Sequence, residues 1–210
     1  CSLIMKGVTQ DDQGNYFFTI LTSDGKRLQG ESVKLSVTDR PKRVSVSISP
    51  SGEIMEGRSV TLNCSSDANP PVETYTWYKG TYSITTGKTY TINQINSEHS
   101  GEYVCEAKNK QGHEFSRPLF LNVLYPPKRV SVSISPFGEI VAASLVTLTC
   151  YSDANPPVKT YTWYKVNESL PVGFRQSYSF MLSSSSSGWF YCVAQNKYGG
   201  EKAAAVHLSI

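Results

Sequence analysis

Residues 41–79 read PKRVSVSISPSGEIMEGRSVTLNCSSDANPPVETYTWYK, and residues 127–165 read PKRVSVSISPFGEIVAASLVTLTCYSDANPPVKTYTWYK. The two stretches are offset by 86 residues and match at about three positions in four. Near-identity at one offset is an internal repeat, so the chain holds two units of one design. Within each, apolar and polar residues alternate. Val44, Val46 and Ile48 alternate with Ser45 and Ser47, and Val60, Leu62 and Cys64 with Thr61 and Asn63. A period of two places one set inward and the other outward on a half-buried strand. Tyr75 and Trp77 are expected to point inward, with Thr74, Thr76 and Tyr78 outward. Asn69-Pro70-Pro71 breaks the chain. Tyr90, Ile92 and Ile95 form a further short strand, and Phe115 to Val123 the last. Asn109-Lys110-Gln111-Gly112 and Asn196-Lys197-Tyr198-Gly199 close hairpins, with Gly where φ > 0 is needed. The serine run Ser183 to Ser187 reads as a solvated turn. No segment carries helical periodicity, and the fold class is all-β.

The repeat sets the expected organisation: a partial domain at 1–38 and whole domains at 39–124 and 125–210. The junctions Asp39-Arg40-Pro41 and Tyr125-Pro126-Pro127 carry proline, which fixes φ and disfavours helix before it, so stiff, extended linkers are expected. A net charge of +3 is too small to argue for nucleic acid or an anionic membrane surface. The basic pairs Lys42-Arg43 and Lys128-Arg129 fall at equivalent places in the repeat and read as solvated strand starts. No apolar run approaches the ~20 residues that span a bilayer. The chain opens on Cys1 and shows no signal peptide, so an internal fragment of a longer chain is expected.

Of the 5 cysteines, four form two pairs of near-equal spacing, Cys64 with Cys105 and Cys150 with Cys192. Each pair brackets a tryptophan, Trp77 or Trp163, 13 residues after its first cysteine. The absence of C-x-x-C and of His at ligand spacing argues against zinc. Even pairs in a β-rich chain imply disulfides and an oxidising compartment. Closing a loop of about 42 residues stabilises a domain by roughly 4 kcal/mol on the chain-entropy model. Cys1 is left over. Cys…Trp…Cys with Tyr two residues before the second Cys is the immunoglobulin-sandwich pattern, in which Trp packs on the bridge between sheets. Tyr103 fits the tyrosine corner, and Phe190 takes that place in the second unit without the hydroxyl, a loss of about 1 kcal/mol. About ten residues separate Lys79 from Tyr90, too few for the extra strands of a variable-type domain. Short, seven-stranded domains are expected.

In residues 1–38, Asp12-Gln13-Gly14-Asn15-Tyr16 repeats the D-x-G-x-Y of an F strand, with Tyr16 at the corner, but Phe18 stands where the cysteine should be. Cys1-Ser2-Leu3 opens what reads as an E strand. This combination resembles the first domain of the sialic-acid-binding immunoglobulin-like lectins, the Siglecs. Residues 39–210 resemble the short domains that follow it, most like those of fish sialoadhesin-like proteins of the B-cell-receptor type. The resemblance implies a disulfide between strands B and E, hence a B-strand partner for Cys1 outside this sequence. It also implies an arginine directly after Tyr-Phe-Phe that grips the sugar carboxylate. A guanidinium does this with two parallel charge-assisted hydrogen bonds. Here Tyr16-Phe17-Phe18 is followed by Thr19, whose hydroxyl makes at most one neutral bond to that carboxylate. Lys26 and Arg27 open the next strand, with Lys26 the nearest candidate cation, but their register gives no ground for substituting the arginine.

Asn63-Cys64-Ser65 and Asn167-Glu168-Ser169 fit the N-glycosylation sequon, making Asn63 and Asn167 candidate sites. His99, His113 and His207 have no nucleophile or carboxylate at catalytic spacing. No enzyme activity, cofactor or metal is expected. The expected function is the extracellular part of a Siglec-like immune receptor at the plasma membrane, recognising a cell-surface glycoprotein or glycan, with the two whole domains as a stalk. The rival is an adhesion molecule that binds a protein without lectin activity. With only strands E, F and G, the C-terminal part of a variable-type immunoglobulin domain, residues 1–38 are expected to leave Val8, Tyr16, Phe18 and Val37 partly exposed.

Overall fold

A computed structural model describes residues 2–138 and 140–210, and Cys1 lies outside the described residues. The chain divides into two compact units. The first runs up to Ser49 and includes Val60–Ile92 and Gly101–Leu121. The second comprises Pro50–Ser59, Asn93–Ser100 and Asn122–Ile210.

The first unit opens with a 3-10 turn at Gln10–Asp12 and four short strands: β1 (Gly14–Tyr16), β2 (Thr19–Leu21), β3 (Arg27–Gln29) and β4 (Val33–Leu35). They fold as one interrupted hairpin, β1 on β4 and β2 on β3. The expected E strand is not formed: residues 2–9 carry no strand, and their apolar Leu3 and Ile4 lie exposed. Among the described residues no second sheet covers this hairpin, so nothing holds residues 2–9 against its edge.

There follow β5 (Asp39–Ser49), β6 (Ile54–Met55), β7 (Val60–Asn69), β8 (Thr74–Lys79), β9 (Tyr82–Thr86), β10 (Thr89–Ile92), β11 (Gly101–Asn109), β12 (Gly112–Phe115) and β13 (Leu119–Leu121). In the first unit β10, β7 and β5 form one sheet, and β12, β11, β8 and β9 form the other, with β13 also on β11. The Cys64–Cys105 disulfide ties β7 to β11 and so joins the sheets. Val60, Leu62, Trp77, Tyr103 and Ala107 fill the space between them, all at 0–1% exposure. Outward positions pair as hydroxyls, Ser45 with Ser65 at 2.9 Å and Thr61 with Thr91 at 3.0 Å.

Three expectations need correction. An extra strand does fit between Lys79 and Tyr90: the turn at Gly80-Thr81 is tight enough for β9 to pair with β8. Ile95 is fully buried but lies beyond the end of β10. The last strand is broken at Ser116-Arg117-Pro118, because Pro118 has no N–H for the ladder. Ser116 bridges the gap: its N–H donates to the Cys105 carbonyl and its Oγ accepts from the Cys105 N–H at 3.0 Å.

The second unit adds β14 (Val123–Ser135), β15 (Leu145–Asn155), β16 (Thr160–Lys165), β17 (Ser177–Met181), β18 (Gly188–Asn196), β19 (Gly199–Lys202) and β20 (Val206–Leu208). Its sheets are β17-β15-β14-β6 and β16-β18-β19, with β20 on β18. The Cys150–Cys192 disulfide ties β15 to β18. Val146, Leu148, Trp163, Leu182 and Phe190 form the core. Phe190, at the corner position, packs against Phe180 at 5.2 Å. Among the described residues no strand equivalent to β9 forms here; a bridge between Trp163 and Gly173 stands in its place.

Both proline-bearing junctions lie inside strands, at the starts of β5 and β14, so the backbone there is extended. The same asparagine pair holds each. Asn69 Nδ2 donates to the Val37 carbonyl at 2.6 Å, and Asn109 Nδ2 to the carbonyls of Asp39 and Pro70, both at 2.8 Å. In the second unit Asn155 Nδ2 donates to Val123 at 2.7 Å, and Asn196 Nδ2 to Tyr125 and Pro156, both at 2.9 Å. Asn109 and Asn196, read from sequence as turn formers, are buried clamps that satisfy carbonyls about 70 residues away.

Burial, with a smaller contribution from Tyr90, pushes the Tyr103 hydroxyl up to about 12. The fold therefore favours the neutral phenol over an ordinary value near 10. That stabilisation is complete below pH 10 and lost as pH rises from 10 through 12, on the order of 2–3 kcal/mol. Tyr103→Phe is expected to reduce this alkaline loss, checked by denaturant midpoints of variant and parent at pH 9 and pH 11.5. An equal fall in both would contradict it.

Candidate recognition surfaces

The hairpin of residues 14–35 carries the positions that the Siglec resemblance singles out. Tyr16, on β1, donates its hydroxyl to the Asp12 carbonyl at 2.5 Å, the geometry of a tyrosine corner. Phe17 and Phe18 interrupt the strand, each 55% exposed. Gly30 sits against the Phe18 ring, so close that a Cβ there would lie 2.6 Å from it. The Gly30 N–H bonds the Phe18 carbonyl, where the strands of the hairpin are interrupted. Val8 is exposed, while Tyr16 and Val37 are half-buried.

Thr19 begins β2, exposed and opposite Gln29. Lys26 is not brought to it. Lys26 lies in the turn that ends the hairpin, where its ammonium pairs with Asp24 at 3.4 Å. The Thr22 hydroxyl and then Lys26 hold the Asp24 carboxyl below its ordinary range. Arg27 stands opposite Leu21. The neighbouring groove, an opening of roughly 450 Å³, is lined by Leu3, Met5, Phe17, Val33 and Leu35, with Glu31 its one charged side chain. A carboxylate in an apolar groove repels an anionic ligand instead of gripping it.

The other candidate residues are scattered. Asn63 is half-buried on the outward face of β7, between Ser47 and Thr89. Asn167 is fully open, at the tip of the turn after β16 with φ 70. The Nδ1 of His99 accepts from the Asn96 N–H at 3.0 Å. His113 pairs with Glu106 at 2.5 Å, and the His207 ring lies 4.8 Å from that of Trp189. These three histidines take up capping and packing positions on separate elements.

A family model for the immunoglobulin domain matches residues 44–123 and again residues 130–210. The chain belongs to the immunoglobulin domain family. Its similarity to receptors is spread over most of its length. It is 37% identical over 134 residues to the B-cell receptor CD22 of Mus musculus, a match covering 63% of this chain and 15% of that protein. It is 27% identical over 216 residues to Fc receptor-like protein 5 of Homo sapiens, covering 97% of this chain and 22% of that protein. The chain thus spans about a fifth of these relatives. Among solved structures, the full ectodomain of mouse nectin-like molecule 4 shares the fold with a TM-score of 0.69 at 24% identity, over 96% of this chain and 74% of that one. The architecture is therefore that of tandem immunoglobulin sandwiches, and the curated relatives are receptors, not enzymes.

Proposed function

We propose that this chain is part of the extracellular region of a Siglec-like immune receptor on the plasma membrane, anchored by a segment outside residues 1–210. In this reading, units 39–124 and 125–210 form a stalk and the domain that includes residues 1–38 meets the ligand. The similarity to CD22, a Siglec, supports it, as do two disulfide-bridged sandwiches suited to an oxidising exterior. The open turn at Asn167 favours glycan attachment there, and Asn63 is a second, more shielded site.

The observation that most shapes the proposal is Thr19. It occupies the place of the family's arginine, it stands opposite Gln29, the nearby Lys26 is paired with Asp24, and the adjacent groove carries Glu31. Losing one partner of a charged pair costs about 2–5 kcal/mol, roughly 30-fold to several thousand-fold in affinity. Recognition here is expected to proceed without the sialic-acid carboxylate. A glycan array of the receptor ectodomain tests this. The parent is expected to show no sialidase-sensitive signal, and Thr19→Arg to raise sialoside binding by at least about 30-fold. Clear, sialidase-sensitive binding by the parent would overturn it. The second reading, an adhesion molecule with a protein partner, is favoured by the aromatic sheet faces of both sandwiches.

A further inference from the structure

In the first unit the outward side of β11 reads Glu102, Val104 and Glu106, followed by Lys108. Its register places Glu102 opposite Phe120 and Glu106 opposite Phe115, with Val104 opposite Tyr78 on β8. In the second unit β18 carries the equivalent positions, aligned through Cys105 and Cys192. There Trp189 stands opposite His207 and Val193 opposite Lys202, with Tyr191 opposite Tyr164. At the same two rungs, acid paired with phenylalanine in one face becomes apolar paired with base in the other. The central rung keeps its tyrosine on the neighbouring strand in both.

The aromatic groups of these faces are open to solvent: Phe120 is 74% exposed, Phe115 49% and Trp189 51%. Large exposed aromatics clustered on one sheet face mark an interaction site more often than a solvated surface. The charges indicate what would cover them. Glu106 is already engaged, accepting from the Tyr78 hydroxyl at 2.9 Å and pairing with His113. Glu102 is exposed and has no side-chain partner among the described residues. On the second face Lys202 lies 5.4 Å from the Tyr191 ring, with its charge unpaired by any carboxylate among the described residues. Face to face, the two surfaces would set Glu102 and Glu106 against Lys202 and His207, and aromatic against aromatic.

We propose that the Glu102 face of one copy of this chain docks on the Trp189 face of a second copy. The inference rests on the reading of the chain as a cell-surface recognition protein and names a partner for it. The contact joins unlike patches, so a pair of copies related by a two-fold axis would use it twice, and copies related otherwise would continue it.

Sedimentation velocity on the full chain over a concentration series tests the inference. The parent is expected to self-associate, more weakly as salt is raised. Glu102→Lys alone and Lys202→Glu alone are each expected to weaken association about tenfold, and the double variant to recover most of it. A monomer at every concentration would overturn the proposal. So would association insensitive to both reversals, which would place it on another surface such as the groove of residues 2–38, or a double variant no better than the singles. Because sedimentation reads only self-association, a monomer whose ectodomain still binds cells sinks this inference and leaves the recognition reading standing.

Discussion

Trp77→Ala is expected to destabilise the sandwich around Cys64 and Cys105 by about 3–5 kcal/mol. Trp77 has 0% exposure, sits opposite Cys105 in the β8–β11 register, and lies 6.5 Å from the Tyr90 ring. Its removal forfeits the transfer free energy of the indole and leaves a cavity that two sheets tied by a disulfide cannot close. It also orphans the Gly87 carbonyl, which accepts from the indole N–H at 2.9 Å. A domain's whole stability is typically about 5–15 kcal/mol, so most of it is at stake. Denaturant unfolding followed by far-ultraviolet circular dichroism checks the prediction. In this variant the remaining tryptophan fluorescence comes from Trp163 and Trp189, both in the second unit, and separates its transition from the first. A loss below about 1 kcal/mol would mean that Trp77 is not the keystone described here.

Replacing both Cys150 and Cys192 with alanine is expected to cost the second sandwich about 4 kcal/mol. The sequence separation of 42 residues sets that figure through the loop entropy restored to the unfolded chain. Both cysteines have 0% exposure, and alanine leaves no unpaired thiol beside Trp163. Changing both cysteines isolates the cross-link from the reactivity of a lone sulfur. The measurement is the unfolding free energy of parent and double variant under non-reducing conditions. Equal stabilities would imply that packing alone joins β15 to β18.

The cysteine–tryptophan spacing, the 86-residue repeat and the alternation along β5, β7 and β8 were legible because each is a local or periodic signal with a strong physical cause. The proposal about Thr19 rests on a local signal of the same kind, since Thr19 lies directly after Tyr16-Phe17-Phe18. What escaped was set by distance. Asn109 and Asn196 carry a turn signature, and turn chemistry accounts for part of their role: each Oδ1 accepts from the N–H two residues on. Their buried amides find carbonyls about 70 residues upstream, which no local pattern reveals. A gap of about ten residues looks too short for strand β9, yet a tight turn at Gly80-Thr81 uses almost none of it. The E strand expected in residues 1–38 fails because a strand needs an edge to pair with, and an apolar run alone does not supply one. The complementary faces of β11 and β18 became readable only once register placed Glu102 beside Phe120 and Trp189 beside His207.

The account's central claim is that one chain carries two closed sandwiches and, ahead of them, a hairpin that no second sheet covers among the described residues. Hydrogen–deuterium exchange on the intact chain tests it most directly. Strongly protected amides are expected along β7, β8 and β11 and along β15, β16 and β18, where backbone bonds flank buried side chains. Residues 2–38, with strands of 3 residues and exposed Leu3, Phe17 and Phe18, are expected to exchange rapidly. Equal protection across 2–38 and 39–210 would contradict the claim.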